Sequence, residues 1–135
     1  MKNKEKIEFE KIPIDVSYGK VINDVYVVIR NDRSKVVEAL ESLEKKDRDD
    51  IIDIISNMAT TSNFKSPKIR NKFRKYSYGE IKPKGHRVFY FKKFGNNIIL
   101  FNYRIKKKKS LGDPVYKKLE KEKQYYEQKF AEFYK

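Results

Sequence analysis

The sequence predicts an α+β protein, because strand-like and helix-like patterns both occur along its 135 residues. Two segments rich in aromatic and β-branched residues flank a Gly-Asn-Asn turn, which is typical of a β-hairpin. Other regions carry apolar residues at helical spacing, and each follows a residue that can cap a helix. A chain of this length folds most simply as one domain, which buries roughly two-thirds of its unfolded surface.

Residues 1–20 are expected to form an N-terminal extension or an edge strand, ahead of a single domain over residues 21–135. Their apolar residues alternate weakly with polar ones, and Pro13 lacks the N–H that a central strand donates to its neighbour. The segment Val21–Arg30 favours a buried strand, because β-branched residues dominate it and turn-forming residues follow.

A pair of helices is predicted after this strand. Asp32 or Ser34 caps the first helix, whose apolar residues fall on one face. Asp47 is expected to cap the second helix, whose apolar stripe runs from Ile51 to Met58. One long helix would also fit the spacing, but Asp47 would then lie on the apolar face.

The hairpin that spans Val88–Phe101 has the strongest strand pattern of the chain. Its turn residues, Gly95-Asn96-Asn97, tolerate a positive φ angle. With Gly95-Asn96 as the loop, Arg87 lies opposite Arg104; with Asn96-Asn97 as the loop, it lies opposite Lys106. A loop of three residues would change the pairing by one residue and break this arrangement.

Two like charges that face each other across a sheet cost roughly a few tenths of a kcal/mol unless an anion lies between them. An arginine also presents a planar fork that binds phosphate through two hydrogen bonds. Arg87 and Arg104 are therefore predicted to clamp a phosphate. Two solvated arginines are the alternative that the pattern leaves open.

A C-terminal helix is predicted to begin at Asp113-Pro114, since aspartate is a favoured cap and proline fits the first turn. Its apolar stripe runs from Val115 to Phe133. Tyr116 lies one position off this stripe, where the free N–H groups and the dipole of a helix start favour anions. It is a candidate for phosphate contact, or else a rim tyrosine that covers the edge of the core.

The formal net charge is +14 and is unevenly distributed. Residues 65–109 contain a single acid, Glu80, whereas most acids lie in residues 38–53 and 113–132. This asymmetry is typical of a surface that binds nucleic acid, although a lysine-rich proteome is another explanation for the charge. The lysines around the hairpin are candidates for RNA binding: Lys82, Lys84, Lys106, Lys107, Lys108 and Lys109.

The chain contains one histidine, His86, and no cysteine. A two-histidine ribonuclease mechanism, thiolate chemistry and a cysteine metal site are therefore excluded, and neither metal ligands nor a cofactor are expected. Phosphodiester chemistry carried by arginine, lysine and tyrosine remains, with His86 either taking part or serving as an ordinary strand-edge residue. The chain shows neither a signal peptide nor the about 18 apolar residues that span a bilayer, so a cytoplasmic location without membrane contact is expected.

Four segments, in their order and spacing, resemble the RelE/HigB superfamily of bacterial toxin ribonucleases, particularly its phage-associated HigB-like branch. The likeness covers roughly Tyr26 to Gln128, and the second segment is the most specific. The segments are Ala39–Ile55 (ALESLEKKDRDDIIDII), Tyr78–Phe91 (YGEIKPKGHRVFYF), Gly95–Lys108 (GNNIILFNYRIKKK) and Asp113–Tyr126 (DPVYKKLEKEKQYY).

The resemblance implies a RelE-like fold, in which two N-terminal helices pack on a mostly antiparallel twisted sheet and a C-terminal helix follows. It implies a ribosome-dependent endoribonuclease, an mRNA interferase that works without metal and is neutralised by a cognate antitoxin. The implied partners are therefore the antitoxin, the ribosome and mRNA. A non-enzymatic RNA- or partner-binding module on the same fold and a ParE-like gyrase inhibitor are the alternatives.

The resemblance also implies roles for individual residues. Arg87 matches the strand arginine that contacts phosphate, and Lys82 matches the basic position of the preceding strand. Arg104, or a lysine of residues 106–109, lies near the second arginine of the family, and Tyr116 resembles the C-terminal tyrosine of RelE. The expected reaction is attack of the ribose 2′-hydroxyl on a phosphate held by both arginines, with Tyr116 or His86 transferring protons.

Overall fold

The computed structural model describes residues 5–14, 20–61, 69–70, 76–106 and 112–134. These parts of the chain contain six strands and three helices, which is the α+β class that the sequence predicts. In chain order the elements are β1 (Ile7–Lys11), β2 (Asp24–Arg30), α1 (Lys35–Ser42), α2 (Lys45–Thr60), β3 (Ile69–Arg70), β4 (Gly79–Ile81), β5 (His86–Lys93), β6 (Asn97–Ile105) and α3 (Asp113–Phe133).

The strands form one mixed sheet in the order β1-β2-β6-β5-β4-β3. The β2 and β6 strands run parallel to each other, and all other neighbours are antiparallel. The β1 strand lies at one edge of the sheet, and the exposed Pro13 follows it. None of the helices in the described ranges is long and apolar enough to cross a membrane.

Helices cover both faces of the sheet. Alternate residues of β2 show the division, since Val25 and Val27 pack into one buried cluster with Ile51 of α2, whereas Tyr26 packs into another with Phe130 of α3. We call these two sides the α2 face and the α3 face. The C-terminal helix thus lies on the opposite side of the sheet from the first two helices.

The structure contains the two separate helices that the sequence predicts, but the break lies at Leu43 and Glu44, ahead of the predicted cap Asp47. Ser34 caps α1, because its hydroxyl accepts a hydrogen bond from the Val37 N–H at 3.2 Å. The α2 helix begins before Asp47, with Glu44 at its N-cap position. Asp47 is instead a residue of the first turn, where the helix dipole favours a carboxylate.

The β5–β6 hairpin has a three-residue loop, so the two-residue loop that the sequence predicts is wrong: Lys93 pairs with Asn97. A β-bulge then corrects the register, because Tyr90 pairs with Leu100 whereas Phe89 pairs with Asn102. The extra residue on β6 compensates for the longer loop. Arg87 therefore faces Arg104 as predicted, although for a different reason.

The C-terminal end of α2 is bound to the start of β2 through Asn23, which is only 5 % exposed. Its side-chain amide donates to the carbonyls of Met58 and Thr61, both at 2.9 Å. The backbone N–H groups of Ile22 and Asn23 both donate to the carbonyl of Ala59 at 2.9 Å. These bonds satisfy carbonyls that the helix itself cannot pair. They also fix the position of α2 relative to the sheet.

We expect Asn23→Asp to destabilise the protein by about 1–3 kcal/mol, because a carboxylate cannot donate to the two carbonyls that the amide binds. Urea denaturation monitored by circular dichroism measures this loss. The matched control is Asn96→Asp at an exposed position of the hairpin loop, which should change stability by no more than about 0.5 kcal/mol. Equal stability of the two variants would contradict the role of Asn23.

Candidate nucleic-acid interface

Arg87 and Arg104 lie opposite each other where β5 begins and β6 approaches its end. Phe89 and Phe91, which alternate with Val88 along β5, pack in the α3-face cluster, so the two arginines also belong to the α3 face. The sheet therefore places the two arginine residues directly opposite each other on one face, as a phosphate clamp requires.

The two arginines differ in how their donors are used. Arg87 is 9 % exposed, and its Nη1 donates to the carbonyls of Lys84 at 2.7 Å and His86 at 2.8 Å. Among the described residues, no group accepts a hydrogen bond from the buried Nε of Arg104. A buried donor without an acceptor costs about 1–3 kcal/mol, so the Arg104 side chain is held in place at a local cost in free energy.

His86 lies on the α2 face and is contacted at both ring nitrogens. Its Nε2 is 3.3 Å from Oδ2 of Asp47, and its Nδ1 is 2.7 Å from the hydroxyl of Tyr103. The imidazole also stacks on the Tyr103 ring, with 6.0 Å between the ring centroids. Its side chain is 15 % exposed. We call Asp47, His86 and Tyr103 the histidine triad.

The partners of His86 determine the direction of each hydrogen bond. A carboxylate only accepts hydrogen bonds, so the single N–H of a neutral imidazole belongs on Nε2, where it donates to Asp47. Nδ1 then accepts from the Tyr103 hydroxyl. A proton that moves from Tyr103 to Nδ1 produces an imidazolium beside the Asp47 carboxylate, which stabilises it.

The ionisation of the two outer groups suits this arrangement. The hydrogen bond from His86 lowers the pKa of Asp47 despite partial burial, and the ammonium of Lys84, 3.6 Å away, acts in the same direction. Burial raises the pKa of Tyr103, with a further contribution from the charge of Asp47. At neutral pH the triad thus has a charged carboxylate at one end and a neutral phenol at the other.

The turn between β4 and β5 connects the arginine pair with the histidine triad. Lys84 has a φ of 56° there; its carbonyl binds Arg87 and its ammonium faces Asp47. Across the turn, Lys106 donates its N–H to the carbonyl of Gly85 at 2.8 Å. A Cβ at position 85 would lie 3.3 Å from the carbonyl oxygen of Lys106, so glycine permits this close approach.

The other predicted lysines are only partly described. Lys82 and Lys106 are half-buried beside the same turn. Lys107, Lys108 and Lys109 lie outside the described residues, so the structure does not locate them. Lys84 is the exposed lysine of the turn, and it contributes its charge directly to the triad.

Tyr116 lies in the aromatic cluster of the α3 face and is 3 % exposed. Its ring is 6.3 Å from that of Tyr76, and its carbonyl accepts a hydrogen bond from Tyr78 at 3.1 Å. The helix begins at Asp113, one residue earlier than predicted, because Gly112 and not Asp113 is the N-cap residue. Asp113 instead accepts a hydrogen bond from Tyr76 at 2.5 Å. This placement agrees with the core alternative for Tyr116.

The structure therefore brings Arg87 and Arg104 together on one face and places His86 on the other. It also adds two residues that the sequence analysis missed, Asp47 and Tyr103. The hairpin register contains a signal for Tyr103, because Arg87 opposite Arg104 makes Tyr103 a diagonal neighbour of His86. The contact of Asp47 with His86 depends on how α2 packs on the sheet, so no local sequence pattern predicts it.

No protein-family model and no curated protein matches this chain. Within the described ranges, no group of three or more histidine, aspartate or glutamate side chains could hold a metal ion. The side chains at this end of the hairpin that can take part in chemistry are the arginine pair, the histidine triad and the lysines of the connecting turn.

We expect the stability advantage of the wild-type protein over Asp47→Asn to depend on pH. Because the folded state lowers the pKa of Asp47, the stabilisation is complete well above the unfolded pKa of about 4. It is lost as the pH falls through the lower folded pKa. Urea midpoints measured between pH 7 and pH 2.5 test this expectation.

The control for this experiment is Asp53→Asn, which removes an exposed carboxylate from the same helix. Its urea midpoints should run parallel to those of the wild-type protein over the whole pH range. A constant difference between the wild-type protein and Asp47→Asn at every pH would contradict the proposed contact with His86 and Lys84.

Proposed function

We propose that this protein is an endoribonuclease of the RelE/HigB type, which cleaves mRNA on the ribosome as the toxin of a toxin–antitoxin pair. The four sequence segments and the α+β architecture support this proposal. The observation that carries it is the pairing of Arg87 with Arg104, whose buried Nε has no acceptor among the described residues. The RelE-like form of the fold is part of the proposal.

In the proposed reaction, Arg104 and Arg87 together bind the phosphate. Arg87 already donates to two carbonyls, which fix its guanidinium at the strand end. Its remaining N–H groups are left to donate to the phosphate. A phosphate between the two guanidiniums removes their mutual repulsion. Because these donors are held in place before the reaction, they stabilise the charge that develops on the phosphate as the bond to the 2′-oxygen forms.

The histidine triad is the proposed route for the proton. The ribose 2′-hydroxyl passes its proton to the Tyr103 oxygen while the Tyr103 proton moves to Nδ1 of His86. The 2′-oxygen bonds to phosphorus, the bond to the 5′-oxygen breaks, and the leaving oxygen takes a proton from water. The hydroxide that remains takes up the proton held on Nδ1 of His86, which restores the triad. Tyr103 remains a neutral phenol throughout, so its raised pKa is no obstacle. The products are a 2′,3′-cyclic phosphate and a free 5′-hydroxyl.

The triad and the arginine pair lie on opposite faces of the sheet, whereas the 2′-oxygen and the phosphorus that it attacks belong to one RNA linkage. The proposal therefore requires this linkage to lie across the end of the β5–β6 hairpin, with the arginines reaching it from one face and Tyr103 from the other. The short turn around Lys84 is the crossing point, because its carbonyl contacts Arg87 and its side chain contacts Asp47. The net charge of +14 favours binding to the polyanionic ribosome and mRNA. A cognate antitoxin and a cytoplasmic location complete the proposal.

We expect Arg104→Ala to lower the rate of mRNA cleavage by about 10²–10³-fold, which is typical for loss of one donor to a developing charge. The measurement is in vitro translation followed by 5′-end mapping of the mRNA. Lys92→Ala removes an exposed positive charge at the far end of β5 and should retain wild-type cleavage. If Arg104→Ala cleaves as fast as Lys92→Ala, the phosphate clamp is wrong. Binding of the wild-type protein without any cleavage would favour the non-enzymatic RNA-binding alternative.

We expect Tyr103→Phe to lower cleavage by about 10²-fold or more, because the triad then lacks the hydroxyl that receives the proton. The same assay, repeated from pH 6 to pH 9, should show a changed pH profile as well as a lower rate. Tyr134→Phe, at an exposed position near the C-terminus, is the matched control. Full activity with an unchanged pH profile in Tyr103→Phe would leave Tyr103 as a structural partner of His86 only.

A further inference from the structure

A groove of about 730 Å³ lies on the α2 face, beside the β1 edge of the sheet. The first two helices flank this part of the sheet, since both contribute residues to the lining of the groove. Val27 and Ile29 of β2, together with Ile12, form the apolar floor of the groove, and Val37 of α1 and Ile52 of α2 form its walls. Its volume lies within the range of about 300–1,000 Å³ that is usual for binding sites.

The apolar walls of the groove are open to solvent. Val37 is 37 % exposed and Ile52 is 42 % exposed, although the two residues belong to neighbouring helices and line the same space. Among the described strands, the adjacent β1 strand has a neighbour on one side only. Contiguous exposed apolar surface of this kind marks interaction sites more often than isolated exposed residues do.

The charge around the groove has the opposite sign to that of the whole protein. Four carboxylates and two guanidiniums line it, a balance of −2, whereas the chain carries +14. Two of these carboxylates already have cationic partners, because Arg33 pairs with Glu38 at 2.8 Å and Lys6, which does not line the groove, pairs with Asp32 at 3.3 Å. Glu10 and Glu41 then exceed the remaining lining guanidinium, that of Arg48, by one charge. The charged lining residues are Glu10, Asp32, Glu38, Glu41, Arg33 and Arg48.

We propose that this groove binds an amphipathic, basic segment of a protein partner. Apolar side chains of that segment pack between Val37 and Ile52, and its lysine or arginine side chains contact the acidic rim. The rest of the surface repels such a segment, so charge directs it to the groove. A nucleic acid would be repelled from the groove for the same reason.

The test uses the full-length protein and a fluorescent peptide of about 15 residues, long enough to form a helix on the surface. The peptide has leucines at helical spacing and lysines elsewhere, and a twin peptide has glutamate in place of each lysine. Fluorescence anisotropy should show binding of the lysine peptide to the wild-type protein. Ile52→Lys should weaken that binding about tenfold or more, since it removes an apolar wall and adds a repelling charge.

Matched controls separate the groove from a general surface effect. Ile22 is 40 % exposed and does not line the groove, so Ile22→Lys should leave the affinity for the lysine peptide unchanged. Glu41→Lys should weaken binding about threefold to tenfold, whereas Glu132→Lys on α3 should not. Urea midpoints of all variants, compared with the wild-type protein, confirm that each variant is folded.

Three results would overturn the proposal. The first is failure of the lysine peptide to bind the wild-type protein. The second is equal affinity of Ile52→Lys and Ile22→Lys for that peptide. The third is a wild-type dimer that Ile52→Lys converts to a monomer, because a second copy of this chain would then occupy the groove.

Discussion

The pairing register of β5 against β6 determines the geometry of the whole candidate site. It places Arg87 opposite Arg104 and makes Tyr103 a diagonal neighbour of His86 on the other face. A slip of one residue would move every side chain of one strand to the opposite face and separate both pairs. The three-residue loop alone would produce such a slip, and the bulge at Phe101 reverses it. The bulge is therefore the feature that places the two arginines opposite each other in the proposed site.

Several residues near this register make unfavourable contributions to the free energy of folding, which a purely structural hairpin would avoid. Two like charges face each other, a buried Nε of Arg104 lacks an acceptor among the described residues, and Lys84 adopts a left-handed backbone conformation. Together these features cost roughly a few kcal/mol. Two buried clusters of aromatic and aliphatic side chains, one on each face of the sheet, offset this cost. Such local costs cluster at sites that bind ligands, which is why we assign the function to this end of the hairpin.

The sequence predicted those features that depend on local pattern. The buried strand that contains Val25, the Ser34 cap and the helix start within one residue of Asp113 follow from periodicity and capping chemistry. The loop length was wrong, because several turns suit Gly95-Asn96-Asn97 and only the packing of both faces selects one. The sequence assigned Asp47 as a helix cap and missed its contact with His86. His86 lies 39 residues further along the chain, and the contact forms only when α2 packs on the sheet. The burial of Tyr116 likewise depends on how α3 packs against the sheet.

The α2 helix links the two surfaces that we assign to different ligands. Asp47 in its first turn faces the triad, and Ile52, about 7.5 Å further along the axis, faces the groove. Between them Ile51 is fully buried, and Asn23 fixes the far end of the helix. A segment bound in the groove therefore contacts a helix that is already fixed at its core side and at its end. A ligand changes a protein's conformation only when it binds two conformations with different affinities. The acidic groove and the basic hairpin end therefore act as separate sites unless α2 has a second position on the sheet.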